Sequence, residues 1–197
     1  MRQMYRSKMQ HRDLRFIDFT TRNDEENNLL IIEGYFAVFN SVYQICDDCS
    51  ESFAPGAFTD TINDDIRALF NHNVDIVLGR TKVGTLKLKE DDKGLFAQII
   101  INAKDSDAVN AYERIKRGDV DQCSIGFEII DEEYIQKDNK HHWIIKKVKL
   151  YEVSPCVFPA YEETTVSARK RDLNDIEKRK TQAWKKQILT KLKGGQN

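Results

Sequence analysis

Residues 83–101, VGTLKLKEDDKGLFAQIII, constrain the fold more than any other stretch of this 197-residue chain. Two runs alternate apolar and polar residues and are joined by EDDKG. That pattern predicts a β-hairpin with Gly94 at the turn exit. Each run has one apolar face, so the hairpin must be covered by a second layer. The rest of the sequence supplies more strands than helices. Residues 13–19 (DLRFIDF) alternate, and 28–40 (NLLIIEGYFAVFN) form a longer β-rich run in which Gly34 suggests a bulge or bend. Residues 66–73 (IRALFNHN) read as a strand running into a polar turn, and 120–131 and 143–154 as two further strands. Residues 53–62 (FAPGAFTDTI) carry Pro-Gly punctuation and then a short helix. Residues 105–119 predict a full helix, capped by Asp105 or Ser106, striped by Val109, Tyr112 and Ile115, and ended by Gly118. Pro155 and Pro159 bound a short extended piece.

These elements point to a mainly β, α+β protein: an antiparallel barrel or strongly curled sheet carrying one or two helices. The expected organisation is a basic N-terminal arm (1–12), a β domain (13–171) and a basic amphipathic tail (172–197). In the tail, Leu173, Ile176, Trp184, Ile188 and Leu192 recur mostly at helical spacing among lysines. From Arg169 to the end there are ten Lys/Arg and three Asp/Glu, a net +7. The overall charge is −1, so the first 168 residues carry −8. Such asymmetry marks either a solvated helical arm or a segment with its own docking role. The longest pure aliphatic run is LLII (29–32), far short of the about 20 residues a membrane helix needs. The basic start has no apolar segment behind it, so no secretory signal is expected.

Strand parity turns this outline into chemistry. In 120–131, Cys123, Ile125, Phe127 and Ile129 share the core face, so Ser124 points the other way, between Gln122 and Gly126. Gly126 leaves clearance beside the hydroxyl for a substrate backbone. Serine is a useful nucleophile only with a base in reach and a group orienting that base. Of the four histidines, His72 stands where a strand meets a loop, a position that holds the backbone while leaving the ring accessible. Glu152 is the candidate orienting carboxylate: Val148, Leu150, Glu152 and Ser154 are expected on one face, which shelters it. His142 is the reserve for this third role. Against each stands the commoner fate, a strand-end histidine or strand glutamate that is plain surface.

Cys46 and Cys49 form the one C-x-x-C among four cysteines. A structural zinc site wants a second such pair, and Asp47 and Asp48 between the thiols oppose thiolate formation. A chance pair in a loop is the favoured reading, with a metal loop the weaker alternative, drawing on Cys123 or Cys156. No cofactor is expected.

The segments GYFAVFNS, ESFAPGAFTDTI, ALFNHN, VLGRTKVGTLKLKEDDKGL, RIKRGDVDQCSIGFEI and LYEVSPCVFPAYEET occur in this order between about residues 30 and 169. Together they closely resemble the tailed-phage prohead proteases, capsid-maturation enzymes related to herpesvirus assemblin. The resemblance implies an assemblin-like β-barrel and a serine endopeptidase, with Ser124 as nucleophile, His72 as base and Glu152, or in reserve His142, as third member. The oxyanion donors are expected to be backbone N–H groups near the active-site loops, which the sequence does not identify, with Arg80 and Arg169 as side-chain alternatives. It implies action inside an immature procapsid in the host cytoplasm, on the scaffolding segment of the major capsid protein and on the enzyme itself, and it admits a homodimer. Neither a membrane nor a nucleic acid is expected as a partner.

Overall fold

The computed structural model describes residues 10–14, 20–24 and 29–158, together with Leu173, Asp175, Lys178, Thr181, Gln182, Trp184 and Lys185. The chain divides into two compact units, Met1–Ala160 and Tyr161–Asn197. In the second unit the seven described positions are helical, and Trp184 is exposed.

The first unit is mainly β. Its strands are β1 (Gln10–Leu14), β2 (Thr20–Asp24), β3 (Leu29–Val38), β4 (Tyr43–Cys46), β5 (Cys49–Phe53), β6 (Arg67–Phe70), β7 (Asn73–Arg80), β8 (Leu86–Glu90), β9 (Gly94–Ile101), β10 (Gln122–Lys137) and β11 (Lys140–Cys156), with one helix, α1 (Ser106–Arg117). The β8–β9 hairpin forms as its alternation demands. Leu95, Ala97, Ile99 and Ile101 are buried while Phe96, Gln98 and Ile100 are half-exposed. Asp91 Oδ1 accepts from the backbone N–H groups of Lys93 and Gly94 and so closes the turn. The strand begins at Leu86 rather than residue 83, because Thr81–Val83 forms a 3-10 turn. In α1, Asp105 accepts from the N–H groups of Asp107 and Ala108, and Gly118, at φ 87°, donates to Arg114 and Ile115. Tyr112 and Ile115 are buried as expected, joined by Ala108 and Ala111.

Strand pairing gives two sheets. One runs β1-β10-β11-β5-β4, with β6 also on β11 and β7 beyond it; the other runs β2-β3-β9-β8. The expected closed barrel is not found: among the described residues neither set of pairings returns to its first strand. A single apolar cluster draws on both sheets and the helix, with Phe36, Leu95 and Ile99 from one sheet, Ile125, Phe127, Leu150 and Val153 from the other, and Tyr112 from α1. Full burial of such side chains is worth about 1.5–3 kcal/mol each, enough to fix which face of each strand looks inward. Phe53 lies at its centre, 5.2 Å from the Phe58 ring and 5.4 Å from Phe127.

Four local expectations change. The C-x-x-C stretch is not a loop but the turn of a β4–β5 hairpin, with Cys46 opposite Cys49. Residues 55–63 are turns rather than a short helix. The bulge in β3 falls at Phe36, two residues beyond Gly34. The arm expected over residues 1–12 is partly strand, since β1 pairs with β10. The β10–β11 hairpin also extends past both expected strands. It closes through Asp138 and Asn139, whose φ values of 50° and 62° suit a two-residue type I′ turn.

Candidate active site

His72 is presented by the tight turn between β6 and β7. Phe70 pairs with Asn73, leaving Asn71 (φ 53°) and His72 (φ 59°) as the two central residues. Asparagine suits this left-handed conformation; histidine occupies it at a cost that neighbouring contacts must offset. They do so through the end of β11. The Asn71 N–H donates to Pro155 O at 3.0 Å, and Asn71 Oδ1 accepts from Val157 N–H at 2.8 Å. β6 itself pairs in parallel with β11, with Arg67 opposite Glu152 and Ala68 opposite Val153. The turn therefore carries the imidazole to Glu152.

Glu152 faces that imidazole because of a bulge. Gly126 pairs with Glu152, yet Phe127 pairs with Leu150, so Tyr151 is an extra residue in the ladder. The expectation that Val148, Leu150, Glu152 and Ser154 share a face is corrected here. The bulge reverses parity: Val148, Leu150 and Val153 join the core, while Glu152 and Ser154 take the opposite face with Gly126 and Ser124. Gly126 has a different role from the one its place beside Ser124 suggested. A Cβ built there would lie 2.5 Å from Glu152 Oε1, so the clearance accommodates the carboxylate.

The resulting cluster is compact. His72 Nδ1 lies 2.6 Å from Glu152 Oε1. Ser154 Oγ donates to Glu152 Oε2 at 2.5 Å. The Glu152 side chain is only 5% exposed, against 20% for His72. A buried carboxylate is tolerable only when its oxygens find donors, and here both do. With Nδ1–H donating to the carboxylate, Nε2 carries the lone pair. It faces Cys156 Sγ at 3.8 Å. Ser124 sits opposite Ser154 in the ladder, fully buried, and among the described residues its Oγ has no hydrogen-bond partner. The structure thus brings His72 and Glu152 into direct contact, and Ser124 onto the same sheet face two rungs of the ladder from Gly126 and Glu152. No hydrogen bond joins Ser124 to the imidazole.

The remaining candidates lie elsewhere. His142 is ten positions along β11 from Glu152, roughly 30 Å of strand at about 3.3 Å per residue. Its ring bridges Ser50 Oγ (2.8 Å) and Ser52 Oγ (2.9 Å) on β5. Arg80 is clamped by Asp65, Nε to Oδ1 at 2.7 Å and Nη2 to Oδ2 at 2.6 Å. The guanidinium holds the Asp65 carboxyl down at about 2, and the carboxylate raises Arg80 in turn. Arg169 lies outside the described residues. Cys46 is half-buried and Cys49, Cys123 and Cys156 are buried, and among the described residues no three His, Cys, Asp or Glu stand close enough to hold a metal. Sequence reasoning gave no role to Asn71, Ser154 or Cys156 in this cluster. The signals were an asparagine at a positive-φ turn position and a serine two residues from the carboxylate, on its strand face.

A mainly β scaffold that holds an imidazole between a buried carboxylate and a thiol, with a buried serine on the same sheet face, is of the kind that acyl-transfer enzymes use. Residues 17–179 match the model of the caudovirus prohead serine proteases, and the chain belongs to that family. The prohead protease of Enterobacteria phage HK97 is 30% identical over 145 residues, covering 71% of this chain and 60% of that protein. The match therefore spans less than two thirds of that relative's length. Among solved structures, the bacteriophage T4 capsid assembly protease, gp21, shares 11% identity, with a TM-score of 0.44 over 74% of this chain and 98% of that one. No helix among the described residues is long and apolar enough to cross a membrane.

Proposed function

We propose that this protein is a serine endopeptidase of prohead maturation, with Ser124 as nucleophile, His72 as general base and Glu152 as the residue that orients the base. The observation that carries this is the 2.6 Å contact between His72 Nδ1 and Glu152 Oε1, made on the sheet face that also bears Ser124. Glu152 fixes the tautomer in which Nε2 accepts a proton. When Ser124 Oγ attacks a peptide carbonyl, Nε2 takes the hydroxyl proton, and the new imidazolium is stabilised by the carboxylate. The tetrahedral oxyanion collapses to an ester on Ser124. His72 returns the proton to the leaving amine, and water then hydrolyses the ester by the same base.

Two buried serines share the carboxylate's sheet face, and their bonding favours Ser124 as nucleophile. Ser154 already donates its proton to Glu152, whereas Ser124 Oγ is uncommitted. In the resting arrangement Nε2 faces Cys156, so catalysis requires the ring or the strand to shift until Ser124 is in reach.

The substrate proposed is the scaffolding segment of the major capsid protein, and the enzyme itself, within the procapsid in the host cytoplasm. The basic tail is a docking or self-cleaved extension, and a homodimer is the proposed assembly. Incubating the protein with its capsid protein and reading fragment masses tests the proposal. Fragments that vanish with Ser124→Ala support it; fragments that persist remove it. A second reading is favoured by one observation: Ser124 is fully buried without a bond to His72. A non-catalytic capsid-assembly module would look like this, and would assemble normally with Ser124→Ala.

A further inference from the structure

We infer that Ser154 is a positioning residue: its hydroxyl locks the Glu152 carboxylate in the rotamer that presents Oε1 to His72 Nδ1. The inference rests on the proposed protease reading and deepens it. Ser154 is fully buried, two residues beyond Glu152 on β11, and its Oγ donates to Glu152 Oε2. Alternation in a strand puts the two side chains on one face, so the hydroxyl meets the carboxylate from its own strand. Across the ladder, the carboxylate lies where a Gly126 side chain would stand, so it fits only because that position is glycine. The hydrogen bond from Ser154 adds orientation to that fit. With Oε2 engaged by Ser154, Oε1 is left to the imidazole. The hydroxyl also satisfies the second oxygen of a buried anion, which otherwise would seek another donor.

Ser154→Ala separates this role from mere packing. In the full-length chain, kcat for a cleaved capsid-protein peptide is expected to fall roughly 10- to 100-fold with KM unchanged, the effect of one hydrogen bond to a charged group. Ser154→Thr, which keeps the hydroxyl, is expected to restore most of that rate. In a Glu152→Gln background the same Ser154→Ala change is expected to cost less than about twofold, because there is no anion left to orient. An equal loss in both backgrounds, or full activity of Ser154→Ala, overturns the inference. Should Ser154→Ala fail to fold, Ser154→Cys, nearly isosteric with a weak donor, is expected to show the same loss; full activity would count against the role. A readout free of any substrate keeps this distinct from the protease reading. The proton resonance of His72 Nδ1–H, identified by its absence in His72→Gln, is expected to move in Ser154→Ala and stay in place in Ser154→Thr. If wild-type protein shows no Ser124-dependent cleavage, the protease reading fails while this resonance still tests Ser154. If the resonance is unmoved, Ser154 does not position the pair.

Discussion

A Cβ at position 126 would stand 2.5 Å from Glu152 Oε1 and 2.9 Å from its Cγ, so Gly126 and Glu152 are steric complements across the β10–β11 ladder. Gly126→Ala is accordingly expected to push the carboxylate away from His72. Overpacking of this kind costs about 1–3 kcal/mol of stability, and cleavage should fall by more than the stability loss explains. Denaturant unfolding and cleavage rate, measured on the same preparation, check both parts.

Glu152→Gln keeps the shape of the side chain but removes the charge that orients and stabilises the protonated ring. The expected loss in kcat is roughly 10²- to 10⁴-fold, as for the orienting acid of other triads. His142→Gln, by contrast, should leave cleavage within about threefold of wild type, since its half-buried ring bonds two hydroxyls on a stretch of strand distant from Glu152. Comparing the two variants on one peptide decides between the third-member candidates.

Asn71 holds the His72 turn in two ways, through its positive φ and through the bond from Val157 N–H to Oδ1. Asn71→Ala loses both and is expected to cost about 1–2 kcal/mol, while Asn71→Gly keeps the backbone freedom and should cost less. Thermal unfolding ranks the variants. Activity should follow the same order, because the turn carries the base.

The Asp65–Arg80 clamp has a defined acid limit. The folded-state carboxyl titrates at about 2 instead of 3.8. Its pKa is depressed, so the unfolded chain binds more protons in that window, and the clamp's contribution is complete above the ordinary carboxylate range and lost as pH falls through the folded value. Asp65 is exposed, so the effect is small. The melting-temperature gap between wild type and Asp65→Asn should be widest near neutral pH and close as the pH approaches about 2.

The hairpin of β8 and β9 and helix α1 were legible in the sequence because period, turn chemistry and caps agree within each segment. Ser124 and His72 were legible as to face and turn. Glu152 was named for the right strand but on a wrong parity: a bulge leaves no mark in alternation until its partner strand is known, and Tyr151 looks like any strand residue. The β4–β5 hairpin was not legible because Asp47-Asp48 lacks the glycine that marks a two-residue turn, and the flanking strands are short and polar. The second bond on the carboxylate was invisible for a related reason. Serine at Ser154 is an unremarked polar residue until the residue two before it is known to be buried and charged.

The surplus residue at Tyr151 makes the chemistry depend on counting. Adding one codon opposite it, between Gly126 and Phe127, would keep every catalytic candidate in the polypeptide and give Tyr151 a partner, yet unbroken alternation would then put Glu152 on the face of Leu150, toward the hydrocarbon interior, and leave the imidazole without its counter-ion. That insertion should therefore be far more damaging than deletion of Tyr151, which leaves Glu152 opposite Gly126, although neither change alters a functional group.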